Sequence, residues 1–457
     1  MTTTAPQETG TEVVQALPWR WKVQGMIFII GGLGFMFDGW DVVLNAYLIP
    51  LMVKDWQLSI PQAGLIATIN LVGMAIGAIV WGSVADLIGR KKAFTWTLLM
   101  FAVLSVVGAF APNYETFLVL RFLAGIGLGG CIPVDYAMVG EFSPARVRGR
   151  LLTAMDAWWP IGGTLCGIVS TLLLPLGSWR VLLLVMVLPA LLTFWVRRSV
   201  PESPLFLIRK GRAAEARAVI DNLVNRTGGR PTSYVLDEPE IPRKLTVANG
   251  AAQLRKIWAF DWKITAVSWA LFSTVLFQYY GALIWLPTIF RQSGYSDYLA
   301  FMVTTGVTAT GIVGVLMSAW LVDRFGRKPV ILVSALLTAV TIGLFAANVN
   351  VPTAAKIWIL TFGIVIEFAI PAIYCYVSEL YPTELRASGF GWASSASRVA
   401  AALVPTVLGS VLFPHLGLTV TFIITGSLLV VAAIFMMLVT PETRGRLLDD
   451  ETLSVNA

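Results

Sequence analysis

Twelve long apolar runs constrain the fold of this chain more than any other feature. A membrane core of about 30 Å needs roughly 20 apolar residues in a helix, and backbone groups in lipid must bond within that helix. The chain is 57% hydrophobic and 13% charged, against about 25% charge in soluble domains. We therefore predict an all-α membrane protein with twelve transmembrane helices. They lie near 23–53, 61–85, 93–111, 114–140, 151–175, 179–199, 264–290, 298–322, 329–349, 353–380, 387–412 and 417–439.

One long polar segment divides the runs into two groups of six. Loops after runs 2, 4, 8 and 10 hold ten Lys and Arg residues, against four in the loops on the other side. Basic loops stay in the cytoplasm, so we predict that both termini and the linker are cytoplasmic. Residues 212–217 predict a surface helix within that linker. The predicted parts are an N-terminal tail 1–22, a six-helix bundle 23–199, a linker 200–263, a second six-helix bundle 264–439 and a C-terminal tail 440–457.

Three loop motifs occur once in each half of the chain, at nearly the same spacing. The first joins an acid to a basic cluster, the second begins with glutamate, and the third is Pro-Glu followed by Ser or Thr. Two parallel halves with a site between them at mid-membrane are typical of secondary transporters. The motif pairs occupy 82–92 and 319–328, 141–150 and 379–389, and 201–204 and 441–444.

These motifs, with Arg121 to Gly129, resemble those of the major facilitator superfamily. The branch is that of sugar porters, organic-ion transporters and bacterial metabolite:proton symporters, and the resemblance covers 31–446. It implies two pseudo-symmetric six-helix bundles that alternate access. Charges at the loops would latch one state, or would serve only to enforce topology. Candidate gating residues are Asp86, Arg90, Glu141, Arg148, Asp323, Arg327, Glu379 and Arg386, with Glu202 and Glu442 as further candidates.

Two carboxylates three residues apart, Asp38 and Asp41, interrupt the first apolar run. A mid-membrane carboxylate costs about 2.5–3.5 kcal/mol and needs a partner. At about 1.5 Å per residue, Asp41 and Arg121 lie at a similar depth, roughly 28–30 Å from the basic end, and an ion pair would offset both penalties. In proton-coupled sugar porters the matching residues form the proton-coupling pair. The alternative is a permanent structural ion pair in a uniporter, and Asp38 could share or replace the role of Asp41.

Arg398 is the charged residue of the eleventh run, and Glu367 lies at similar depth in the tenth. Two interpretations are open: Arg398 holds a substrate carboxylate, to which a guanidinium offers two hydrogen bonds, or it pairs with Glu367. In organic-ion transporters that resemble this stretch, an arginine at this position accompanies anionic substrates. Sugar porters generally lack it.

The candidate substrate site is rich in aromatic side chains and poor in amides. Sugar porters carry a glutamine-rich stretch where this chain keeps only Gln278. Aromatic side chains can frame a flat ring, although most Trp residues in a membrane protein lie at its interfaces. Asp135 and Asp156 we expect to face water in the inner vestibule. The substrate-binding candidates are Arg398, Trp40, Asp156, Trp158, Trp159, Gln278, Tyr279, Tyr280, Trp285, Glu367, Tyr374 and Trp392.

Together these features predict a monomeric secondary transporter of a bacterial inner membrane. It would carry a small organic acid, aromatic or heteroaromatic, by proton symport, and its partners are that anion, protons and the lipid bilayer. The alternatives are a sugar or polyol symporter and a membrane sensor that binds without transport. One histidine, His415, and no nucleophile–base or nucleotide motif disfavour an enzyme. We expect no cofactor, metal or nucleic acid.

Overall fold

A computed structural model describes residues 8–229, 233–237 and 247–444 of this chain. These residues are almost entirely helical, as predicted. In the first half the helices are α1 (Gly10–Ala16), α2 (Met26–Trp56), α3 (Ile60–Ile88), α4 (Arg90–Gly108), α5 (Tyr114–Gly129), α6 (Cys131–Phe142), α7 (Ala145–Met155), α8 (Trp158–Leu173), α9 (Trp179–Leu184) and α10 (Val187–Ser199). They continue with α11 (Pro204–Arg209), α12 (Ala213–Thr227), α13 (Val247–Phe260), α14 (Trp262–Gln292), α15 (Asp297–Phe325), α16 (Arg327–Ala347), α17 (Pro352–Leu380), α18 (Thr383–Val407) and α19 (Phe413–Val439).

Eleven stretches of the described residues are long and apolar enough to cross a membrane. One of them, Ser388–Val439, is 52 residues long. Its helix breaks at Gly417, whose φ of +73° is not helical, and this conformation favours glycine because it has no Cβ. The stretch therefore provides two spans, and the count agrees with the twelve helices predicted from the apolar runs.

Several spans are interrupted where the sequence analysis predicts continuous helices. The fourth span divides at Gly130 into α5 and α6, and the fifth divides into α7 and α8 between Met155 and Trp158. The second break places Asp156 outside both helices and puts Trp158 and Trp159 at the start of α8. These interruptions matter because they orient several of the candidate site residues.

By its internal contacts the chain divides into two compact units, which do not coincide with the sequence halves. The first unit comprises Met1–Gly39, Ile76–Trp159 and Leu183–Leu245. The second comprises Trp40–Ala75, Pro160–Leu182 and Thr246–Ala457. The boundary falls inside α2, between Gly39 and Trp40. The predicted bundles 23–199 and 264–439 therefore remain a prediction based on the sequence repeat.

In the first unit, part of the N-terminal tail packs on the linker. α1 begins with a capping box, in which Thr9 and Glu12 each bond the other's backbone. Thr9 forms a parallel β-bridge with Val235, and α1 lies against α12. The predicted surface helix at 212–217 is confirmed by α12. The remainder of the C-terminal tail, from residue 445, lies outside the described residues.

Candidate functional site

Asp38 lies on α2 in the first unit and is 1% exposed. The indole Nε1 of Trp159 donates a hydrogen bond to Asp38 Oδ2 at 3.1 Å. The two segments meet closely, because a Cβ built on Gly39 would lie 2.4 Å from the carbonyl oxygen of Trp159. Two predicted residues, one assigned to the proton and one to substrate, are thus in direct contact.

Asp41 belongs to the second unit and Arg121 to the first. Asp41 is 0% exposed and Arg121 is 1% exposed, so both charges are buried, and their similar depth in the membrane stays a prediction. The Asn45 side chain donates to the backbone carbonyl of Asp41 at 3.1 Å and to Asn70 Oδ1 at 3.2 Å. Asp41 therefore lies beside a buried polar layer between α2 and α3. Its pairing with Arg121 stays a prediction.

Of the two acids expected to face water, Asp135 differs from that expectation. Asp135 on α6 is 0% exposed, so the prediction that it faces water is wrong. Counting residues along a helix estimates depth, but it does not show on which face of the helix the side chain lies. Asp156 is half-buried and accepts a hydrogen bond of 2.5 Å from the Tyr136 hydroxyl. Trp158 is half-buried and contacts Phe28 edge-on, with ring centres 6.3 Å apart.

The polar candidates of α14 lie in the second unit. Gln278 is 1% exposed, and neither atom of its amide has a hydrogen-bond partner among the described residues. Tyr279 is also buried and lies beside the carboxyl group of Glu367. Tyr280 is half-buried and tilted against Tyr279, with ring centres 5.8 Å apart. A buried amide without protein partners costs free energy unless water or a ligand bonds to it.

Other aromatic candidates pack helices together. Trp285 is 2% exposed and donates from Nε1 to the carbonyl of Pro405 at 3.1 Å. Tyr374 is half-buried and stacks on Phe272 with ring centres 4.7 Å apart. Trp40 is 5% exposed, and Trp392 is half-buried. Trp285 and Tyr374 thus have clear packing functions.

Arg398 is half-buried on α18. Glu367, its predicted alternative partner, is 4% exposed on α17. A Cβ built on Gly311 would lie 2.7 Å from Glu367 Cγ, so Glu367 packs closely on α15. Among the described residues, Arg398 makes no ion pair. Its guanidinium hydrogens are therefore not used by a described acid.

The loop motif of the first half forms a charge network inside the first unit. Arg90 bonds to Asp86 at 2.6 Å and to Glu141 at 3.1 Å. The carboxylate of Glu202 accepts from the backbone N–H of Lys91 at 3.1 Å, at the N-terminus of α4. Gly89 makes this approach possible, because its φ is +100° and a Cβ there would lie 2.4 Å from Glu202 Oε2.

The second half repeats this network inside the second unit. Arg327 contacts Glu379 at 2.9 Å and Asp323 at 3.9 Å. Glu442 accepts from the backbone N–H groups of Arg327 and Lys328 at 3.0 and 2.9 Å. Gly326 has a φ of +92° at the corresponding position. Each network joins segments of one sequence half, so the geometry repeats as the motifs predict.

Two further gating candidates are half-buried in helices that begin beside these loops. Arg148 lies in α7 and donates to the carbonyl of Ser143 at 3.2 Å. Arg386 lies in the first turn of α18. The latching role of the loop charges stays a prediction.

Glu442 lies just beyond the last span. Burial favours its neutral form, but backbone N–H groups of Arg327, Lys328, Arg444 and Thr443 outweigh that effect and lower the pKa of Glu442 below its ordinary 4.5. The anion also lies at the positive N-terminal end of α16. Glu442 therefore fixes the end of α19 to the start of α16.

The sequence analysis missed three hydrogen-bonded pairs of hydroxyl side chains in the second unit, each of which joins one residue from each sequence half. We call the six residues of these pairs the hydroxyl seam. The seam is remote from the basic loops, because Thr68 lies near the start of α3 whereas the basic cluster follows the end of that helix. Hydroxyls at helical spacing on α15 are its only sequence signal. The pairs are Tyr47–Thr305 at 3.0 Å, Thr68–Thr406 at 2.8 Å and Thr164–Thr308 at 3.3 Å.

Residues 26–452 match the family model described as sugar (and other) transporter. The niacin transporter NiaP of Acinetobacter baylyi is 31% identical, covering 92% of this chain and 94% of that protein. The benzoate transport protein of the same organism is 26% identical, covering 87% and 85%.

Among solved structures, the inward-open xylose transporter XylE of E. coli superposes with a TM-score of 0.76. It is 20% identical, and the match covers 93% of this chain and 98% of XylE. At that identity the likeness establishes the fold alone. It confirms the fold class predicted from the repeated motifs.

Proposed function

The chain belongs to the sugar (and other) transporter family of the major facilitator superfamily, and on that premise we propose that it carries small aromatic carboxylates together with protons. The resemblance predicted from the loop motifs is confirmed by this membership. So is the prediction of a transporter rather than an enzyme. The fold supports transport by alternating access.

Arg398 carries the substrate assignment. A half-buried guanidinium with no described acid beside it can offer a carboxylate two parallel hydrogen bonds. The relatives named above transport niacin and benzoate, and both of these molecules are carboxylates on a planar six-membered ring. A sugar has no charge that would compensate the guanidinium.

Gln278 is the second group that we assign to substrate. It lies on α14, which packs along the α18 helix that carries Arg398. Its amide can donate to a ring nitrogen or exchange hydrogen bonds with a ring hydroxyl. We propose that Arg398 sets the requirement for a carboxylate and that Gln278 selects among ring substituents.

We assign the proton to Asp41, with Arg121 as its counter-charge and Asp38 as an additional acid. Burial of Asp41 makes its charged form costly unless a cation compensates it. Loss of the charge on protonation would weaken its attraction to Arg121 and so bias the conformational equilibrium. We further propose a monomer in the bacterial inner membrane, with both termini and the basic loops in the cytoplasm.

The test is calorimetric binding of paired ligands to the purified protein. Arg398→Ala should weaken the binding of nicotinate and benzoate roughly 10- to 150-fold. This range corresponds to about 1.5–3 kcal/mol, the usual contribution of hydrogen bonds to a charged group. The affinities for nicotinamide and benzamide, which lack the carboxylate, should change little. Arg255→Ala, which changes an exposed arginine of α13, is the control and should bind as wild type.

Equal losses for the acids and their amides would contradict the assignment. They would indicate that Arg398 supports the helix rather than the substrate.

A further inference from the structure

Asp135 is a buried acid that the proposed mechanism does not use. It lies on α6 with 0% of its surface exposed. Neither of its carboxyl oxygens has a hydrogen-bond partner among the described residues. An isolated carboxylate in such surroundings costs far more than a neutral acid, so a group of this kind takes up a proton.

The Asp135 carboxyl group lies against α2. A Cβ built on Gly34 would be 2.7 Å from Asp135 Oδ2, so only glycine allows this approach. Asp38 follows Gly34 by one helical turn on the same face of α2. The two acids are therefore neighbours in the first unit.

Neutral side chains of α4, α6 and α7 pack around the contact between Asp135 and Gly34. On α6 itself, the Cys131 thiol contacts Thr97 of α4 at 3.6 Å. The Phe94 ring of α4 also lies against Gly34, and Met155 of α7 lies near the preceding turn of α2. In the described part of the chain Asp135 makes no ion pair with a Lys or Arg.

Trp159 gives the two acids different affinities for a proton. Its Nε1 donates to Asp38 Oδ2 at 3.1 Å, and donation to a carboxylate favours the charged form. Neighbouring buried carboxylates repel each other, so a charge on Asp38 favours the protonated form of the other acid. The proton is therefore held by Asp135, whose oxygens have no described donor.

We propose that Asp38 and Asp135 form an acid pair that binds one proton, a second proton site in addition to Asp41. It deepens the proton symport proposed above. Trp159 makes the proton affinity of the pair depend on the relative position of α8 and α2. Its carbonyl lies against Gly39 of α2, and its indole donates to Asp38. Separation of α8 from α2 would remove the donor from Asp38 and increase the hold of the pair on its proton.

A proton fits this site better than a metal ion. A bound cation needs about six oxygen ligands, and no cluster of three or more His, Cys, Asp or Glu residues that could hold a metal occurs in the described chain. The pair offers two carboxyl groups, one of which already accepts from an indole.

The experiment is infrared spectroscopy of the full-length protein without substrate, as a function of pH. Wild type should show the carbonyl band of a buried protonated acid at neutral pH. Asp135→Asn should remove that band, while Glu115→Gln, which changes an exposed acid at the start of α5, should leave it.

Two more variants test the pairing even if Asp135→Asn fails to fold. Asp38→Asn removes the like charge, so the band should disappear at a pH about 1–3 units lower than in wild type. Trp159→Phe removes the donor and should move the change to higher pH.

Absence of the band, or a band whose pH dependence is the same in wild type, Asp38→Asn and Trp159→Phe, would overturn the pair. Loss of the band on adding Na⁺ at constant pH would also overturn it, in favour of a cation site. Because no substrate is present, the result is independent of the aromatic-acid assignment.

Discussion

Gly64 on α3 lies at the hydroxyl seam, and its replacement by alanine should favour the open seam. A Cβ at residue 64 would lie 2.7 Å from the carbonyl oxygen of Pro405. That oxygen also accepts a hydrogen bond of 3.1 Å from the indole Nε1 of Trp285. Neither the backbone nor the added methyl group can move away cheaply.

The size of the effect follows from this contact. Overpacking of a close-packed interior costs typically 1–3 kcal/mol. Alternating access requires the seam to separate in part of the cycle, and the clash exists only while the seam is closed. The open fraction relative to the closed one should therefore rise roughly 5- to 150-fold.

The assay is labelling of a cysteine placed in the seam. Thr68 is 8% exposed, and Thr68→Cys can be made after replacement of the three native cysteines, Cys131, Cys166 and Cys375. With a small maleimide in excess, Gly64→Ala should raise the labelling rate of the cysteine at residue 68 by the factor given above.

Gly391→Ala provides a matched control. It lies inside α18, receives the same methyl group and has no atom within 4 Å of the added Cβ, so it shares the gain in helix propensity without the clash. Equal labelling rates for the two alanine variants would show that a methyl group at residue 64 does not favour the open seam.

Two further predictions concern the buried acid and the charged loop. Asp41→Asn should abolish accumulation of substrate driven by a pH gradient but spare counterflow exchange, because only the proton step depends on the carboxylate; proteoliposome uptake measures both. Glu442→Gln should destabilise the protein by about 0.5–2 kcal/mol at pH 7, the usual value of a helix N-terminal partner. Because the folded-state pKa of Glu442 is lowered, its contribution is complete above pH 4.5 and is lost as the pH falls further, so the melting temperatures of variant and wild type should converge.

Unchanged uphill uptake by Asp41→Asn would exclude that residue from proton coupling. A melting difference for Glu442→Gln that is the same at pH 3.5 as at pH 7 would show that the charge is not the stabilising feature.

Much of the fold was predictable because lipid restricts the backbone to a few solutions. Apolar runs gave the twelve spans, and the repeated motifs gave matching networks around Arg90 and Arg327. Those networks depend on local backbone geometry at Gly89 and Gly326, which a short motif can encode.

Features that depend on helix rotation were not predictable in this way. Counting residues estimated the depth of Asp135 but could not show that it faces Gly34 instead of water. The break before Trp158 and the hydroxyl seam likewise depend on which faces of distant segments meet. Apolar runs without a clear polar face carry little information about those contacts.

Proton-coupled transport of aromatic carboxylates is tested by uptake into proteoliposomes that contain the purified protein. With an imposed proton gradient directed inward (the outside more acidic than the lumen), labelled nicotinate or benzoate should accumulate above its external concentration. Unlabelled aromatic carboxylates should compete, xylose should not, and a protonophore should abolish the accumulation. Competition by xylose but not by aromatic acids, or accumulation that is indifferent to the pH gradient, would contradict the account.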